Sequence, residues 1–288
     1  MNILVFTYAI NGLLMVALPI SLAIYLTSKF ILGWRLFWIG ALTFIFSQIL
    51  HIPFNALVAP LFNRTDFTGL PVILQNVLLS GFLGISAGVF EELSRYIMYR
   101  WWAKEARSWS NGLLAGTGHG GIEAILLGIL VLYGYIQMLI ARGVDISTLV
   151  TPEKVELAKM QITAYWSAPW YLTLLGGVER LFTLPLHLAC SVLVLQAFIR
   201  NKFWWVSLAI FYHAVVDGVA VFLSRLAFPP LFIEGIIGIF AIISLFIIYS
   251  TRQVDPKLEI IPISFPKKDF KPRPPEETVI NLDQTRFQ

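Results

Sequence analysis

Histidines and carboxylates recur at helical spacing inside the apolar stretches of this chain. They are Glu91 and Glu92 with Arg95, His119 with Glu123, Glu179 with His187, and His213 with Asp217. A charge at bilayer depth costs from about 2.5 to well over 10 kcal/mol. A chain that carries this many must use or neutralise them. Imidazole with carboxylate is the donor set of zinc sites and of proton transfer. Two or three histidines and a carboxylate ligate Zn²⁺, and a further carboxylate deprotonates water beside it. A metal-free version of the same chemistry has Glu91 activating water while histidines stabilise the oxyanion.

These residues sit in a membrane protein. Of 288 residues, 57% are hydrophobic and only 13% are charged, where a soluble domain carries about 25% charge. The aromatic content of 14% fits, because Trp and Tyr collect at membrane interfaces. Trp34, Trp38, Trp101, Trp102, Trp204 and Trp205 lie near the ends of apolar runs. The net charge of +4 does not point to nucleic acid, because the basic residues lie in short loops and in the tail. The single cysteine, Cys190, excludes an intrachain disulfide and reads as a small packing residue. The N-terminus lacks a basic n-region and a small-residue cleavage site, so residues 3–26 read as a retained helix.

About 20 apolar residues span a bilayer core. On that measure the fold is all-α: a polytopic transmembrane bundle of about seven spans near 3–26, 36–58, 72–100, 110–140, 168–199, 204–226 and 229–250. A short amphipathic helix over about 152–164 follows the fourth span, with Thr151 as N-cap and Pro152 at N1. Residues 1–251 form the membrane domain. Residues 252–288, rich in proline and lysine, form an extended basic tail suited to a solvated strand or to anionic headgroups.

Positive charge orients the chain. Lys29, Arg35, Arg95, Arg100, Lys104, Arg107, Arg200, Lys202 and the basic residues of the tail fall on one side. Arg64, Arg142, Lys154, Lys159 and Arg225 fall on the other. The expected topology in the cell membrane is N-terminus outside and C-terminus in the cytoplasm. Counted from the basic ends of their helices, Glu91, His119, His187 and His213 then lie at a common depth of roughly 13–18 Å. Residues at i and i+4 share a helix face, so each pair faces one way. Gly116, Gly118, Gly120 and Gly121 thin the fourth span and admit a close neighbour. Glu179 with Arg180 reads as a structural ion pair. Gln48, His51 and Asn55 share a face of the second span and read as structural or as an entry path. The polar groups are expected to meet in one cavity that opens to the cytoplasm.

No Ser-His pair, Gly-x-Gly-Asp or His-Glu-x-x-His pattern suggests another protease class. Taken together, Phe90-Glu91-Glu92-Leu93-Ser94-Arg95-Tyr96, Gly118-His119-Gly120-Gly121-Ile122-Glu123-Ala124, Glu179-Arg180, His187 and His213-Ala214-Val215-Val216-Asp217 resemble a known superfamily. It is that of the PrsW-type proteases and CAAX-prenyl endopeptidases, and the pattern is most similar to its YhfC branch. The resemblance spans most of residues 80–220. It implies an intramembrane metalloprotease with Glu91 or Glu92 as catalytic base, held ionised by Arg95. It also implies His119 or Glu123, His213 and Asp217 in the site, and with His187 these make up the expected zinc ligands. The expected substrate is a membrane-embedded or membrane-anchored protein or peptide. The arginine stands one residue closer to the glutamates than in the prenyl endopeptidases, and PrsW-type proteins carry lysine there. A CAAX substrate does not follow. Two other classes fit buried Glu, His and Arg: a proton-coupled transporter, or a non-catalytic scaffold that retains the pocket.

Overall fold

The structure, a computed structural model, describes residues 3–253. Residues 254–288, and so nearly all of the basic tail, lie outside the described residues, as do residues 1–2. Among the described residues there are nine α-helices and no strand. They are α1 (Ile3–Phe30), α2 (Arg35–Val58), α3 (Thr65–Thr68), α4 (Val72–Ile97), α5 (Trp109–Gly143), α6 (Val155–Ser167), α7 (Leu175–Ile199), α8 (Trp204–Arg225) and α9 (Pro230–Ser250). Seven of them are long and apolar enough to cross a membrane: α1, α2, α4, α5, α7, α8 and α9.

Most expected boundaries move by a few residues. The first span continues to Phe30. The fifth begins near Leu172 rather than 168, because Ala168 is extended ahead of Pro169. The amphipathic segment starts as a 3₁₀ turn at Pro152–Lys154 and continues as α6, none of whose residues is buried. One feature has no sequence signal: α4 ends in a π-helical turn over Met98–Trp102, closed by the Ala103 N–H on the Met98 carbonyl at 2.9 Å.

Helix α7 is the most buried span and forms the centre of the bundle. It packs on α5, α8 and α9, while α4 lies along α8 and α5 carries both α1 and α2. Lipid supplies no hydrophobic drive between helices, so close approach must come from small residues. Helix α5 shows this. A Cβ on Gly118 would collide with the Phe37 carbonyl of α2, and one on Gly120 would collide with the His187 ring of α7. These two glycines bring α2 and α7 against opposite faces of α5, on either side of His119.

The lower half of the bundle, at the Lys29, Arg35, Arg107 and Lys202 end, is the main apolar core. Tyr99, Leu114, Val192, Leu195 and Ala209 are fully buried there. The polar residues lie directly above this layer.

Candidate functional site

Four helices deliver the ionisable residues to one place, as their spacing and depth predict. Helix α4 brings Glu91, Glu92 and Arg95; α5 brings His119 and Glu123; α7 brings Arg180 and His187; and α8 brings His213 and Asp217. Glu91, Glu92, Arg95, His119, His187 and His213 are all at most 5% exposed. The histidine rings are neighbours, with His187 centred 5.7 Å from His119 and 5.7 Å from His213.

The focus is one oxygen. Glu91 Oε2 lies 3.0 Å from His119 Nε2, 3.8 Å from His213 Nε2, 3.8 Å from Arg95 Nη2 and 4.0 Å from His187 Nδ1. Its other oxygen accepts from Gln48 Nε2 at 3.2 Å. Helix α2 therefore joins the site, through a neutral amide.

The far ring nitrogens decide what each histidine offers. Thr43 Oγ1 donates to the Gly40 carbonyl at 2.5 Å, so it accepts from His119 Nδ1–H at 2.8 Å. His119 Nε2 then turns a lone pair toward Glu91 Oε2. Two lone pairs 3.0 Å apart require a proton or a metal ion between or beside them. His213 Nδ1–H donates to Glu92 Oε1 at 2.7 Å, which leaves Nε2 open toward Asp217 Oδ2 at 3.4 Å. His187 differs. Arg95 Nη2 donates to its Nδ1 at 2.9 Å, so the proton resides on Nε2 and is donated to Glu123 Oε2 at 3.1 Å. Both nitrogens of His187 are engaged.

Glu92 is fully buried and is clamped by Arg95 Nη1 and by His213. Glu123 is also bonded to Arg180 Nη1 at 2.7 Å, and Arg180 reaches Glu179 as well, which is the expected ion pair. Five carboxylates (Glu91, Glu92, Glu123, Glu179 and Asp217) thus meet two guanidiniums (Arg95 and Arg180). The surplus negative charge suits a divalent cation. Two sets of donor atoms lie within 4.8 Å of one another: Glu91 with His119 and His187, and Glu92 with Cys190 and His213. The donor chemistry fits zinc, since imidazole nitrogens face a carboxylate and are oriented from behind by Thr43 and Glu92.

Thr43 carries little signal in the sequence, because any transmembrane helix tolerates a neutral polar residue. Gln48, read with His51 and Asn55 as structural or as an entry path, reaches Glu91 itself. Cys190, read as packing, is indeed fully buried, yet its sulfur lies among candidate ligand atoms. Beyond Gln48 runs a chain of side chains. Asn55 Nδ2 donates to His51 Nε2 at 2.9 Å, and His51 Nδ1 lies 3.3 Å from Gln48 Oε1.

The cavity beside the site differs in direction from the expectation. It measures about 110 Å³ and is lined by Glu123, Glu179, Thr183, His187, His213 and Asp217, among others. Glu179 and Asp217 lie above His187 and His213, away from the basic end. Their side chains are 38% and 37% exposed, against 1% for Arg95. The site therefore opens toward the end of the bundle where α7 begins. The reason is the apolar layer of Tyr99, Leu114, Val192 and Leu195, which closes the basic side.

Comparison with known proteins gives the family. Residues 14–238 match the family model of the YhfC intramembrane metalloproteases. The chain is 30% identical over 260 residues to the "Uncharacterized membrane protein YhfC" of Bacillus subtilis (strain 168), covering 85% of this chain and 95% of that one. No solved structure matches. The chain belongs to the YhfC family.

Proposed function

We propose that this member of the YhfC family hydrolyses a peptide bond of a membrane-embedded or membrane-anchored protein or peptide, with Glu91 as general base and zinc as cofactor. The convergence of His119, His213, His187 and Arg95 on Glu91 Oε2 carries the reading.

His119 and His213 would hold the metal through Nε2, with Asp217 as the neighbouring carboxylate. When bound, zinc supplies a Lewis acid that polarises a carbonyl and acidifies water. The chain's own residues do the rest. Glu91 Oε2 takes the proton from the attacking water and returns it to the leaving amine. Arg95 pairs with Glu92 and lies 3.8 Å from Glu91 Oε2. Glu92 fixes the ring of His213, and Thr43 fixes that of His119. His187 is a positioning residue that ties Arg95 to Glu123. Water reaches Glu91 past Asp217 and Glu179. The basic end faces the cytoplasm of the cell membrane, by the positive-inside rule.

The test compares membranes of cells producing the wild type or Glu91→Gln. New peptide N-termini within membrane proteins are expected in the wild type alone. Identical sets of N-termini would end the proteolytic reading. A second reading, proton-coupled transport, draws on the Asn55–His51–Gln48 chain that leads to Glu91. Solute-driven pH change in proteoliposomes, lost in Gln48→Leu, would favour it.

A further inference from the structure

A second polar cavity, of about 300 Å³, lies at the basic end, away from the cluster around Glu91. Arg100, Arg107 and Lys202 line it, with Asn201 and Tyr96 beside them, and no carboxylate does so among the described residues. Three elements build it. The π-helical turn after α4 carries Arg100. Arg107 precedes α5, where its guanidinium donates to the Tyr99 carbonyl at 2.8 Å and lies 4.4 Å over the Phe198 ring. The reversal between α7 and α8 carries Asn201 and Lys202. Asn201 has φ 52, and the Lys202 N–H closes the α7 end on the Ala197 carbonyl at 3.1 Å.

The charge here is unanswered among the described residues. The side chains of Arg100 and Lys202 have no partner among the described residues, and neither does the Asn201 amide. The nearby acid Glu105 is taken by Arg35. A concave site with convergent cations, free N–H donors and no acid is complementary to an oxyanion. Its surroundings say which one. Phe203, Trp101 and Trp204 are 56%, 60% and 51% exposed around this end. Exposed aromatic rings at the ends of membrane spans mark the depth of lipid headgroups.

We propose that this cavity binds the phosphate of an anionic phospholipid, with Arg100 and Lys202 as its charged contacts and Arg107 as a prepositioned third donor. The phosphate sits between the π turn and the α7–α8 reversal. The acyl chains descend past Phe203 into the bilayer. The bound lipid bridges α4, α5 and α8 at their basic ends, which are the helices that carry Glu91, His119 and His213.

The test uses the full chain, purified in detergent and titrated with short-chain phosphatidylglycerol under native mass spectrometry. One saturable lipid per chain is expected. Each of Arg100→Gln and Lys202→Gln should weaken it about fivefold, and the double variant about 25-fold, as follows from one lost cation each. Lys104→Gln, at the same end but outside the cavity, should leave it unchanged. Both cavity residues are exposed, and unchanged helical circular dichroism will confirm folding. Equal lipid retention by wild type and double variant would overturn the proposal. So would full displacement by equimolar inorganic phosphate, which would mark a site for a soluble anion.

Discussion

Glu92 Oε1 accepts from two partners at once, the Arg95 guanidinium of its own helix and His213 Nδ1 of α8 at 2.7 Å. Glu91, one residue earlier, faces His119, His187 and His213 instead. Adjacent glutamates thus hold different posts, one tied to Arg95 and His213 and one at the focus of the histidines. Glu92→Gln should destabilise the protein by about 3–5 kcal/mol, because it leaves Arg95 buried without its main counter-charge. Glu91→Gln should cost less stability, yet lower any hydrolytic rate by about 10²–10⁴-fold. Thermal unfolding in detergent, beside N-terminal profiling of membranes, separates the two.

Thr43 orients His119 without facing the cavity. Thr43→Val keeps the shape and removes the acceptor. Zinc affinity should fall by about 10–100-fold, as for other residues that hold a metal-ligating histidine from behind. His119→Ala and His213→Ala should abolish stoichiometric zinc. His187→Ala should retain it, because both nitrogens of that ring are already engaged. Elemental analysis of the purified chain gives the readout. Loss of zinc in His187→Ala would restore His187 to the ligand set.

Gly120 has no side chain because the His187 ring occupies that space. Gly120→Ala should cost about 1–3 kcal/mol by overpacking and displace His187 from Arg95. Gly134→Ala, on the same helix with nothing near its Cβ position, is the control. It should match or exceed wild-type stability, since alanine is the better helix former.

The proposed topology is open to labelling. Cys190 is fully buried and should not react with a membrane-impermeant maleimide. Lys159→Cys on α6 should react in intact cells. Lys104→Cys should react only after permeabilisation. The reverse pattern would invert the orientation.

The sequence carries the existence of this site more clearly than its internal wiring. Apolar length marks the spans, and the i, i+4 pairs put each helix's ionisable groups on one face. The shared depth of Glu91, His119, His187 and His213 predicts a layer, and the bundle makes that layer a cluster. Depth says nothing about rotation, however. Hence Thr43 on α2 gives no sign of being a partner, since a neutral polar residue costs a membrane helix little, and Gln48 reads only as structural or as an entry path with His51 and Asn55. The roles of Glu91 and Glu92 were interchangeable on paper, because a one-residue offset turns a helix by about 100° and only packing says which side is filled. The direction of the opening is hidden for a related reason. It depends on where the large apolar side chains of four helices meet, and no single span displays that.

The apolar layer of Leu114, Val192, Leu195 and Ala209 beneath the site has a bioenergetic consequence. Ionisable groups stacked through a bundle can pass protons from one to the next and dissipate the gradient that a cell membrane maintains. Here the stack stops. The Tyr99 hydroxyl, buried in the same layer, is committed to Ser191 at 2.9 Å. For the proteolytic reading, this makes the polar interior a blind inlet rather than a wire.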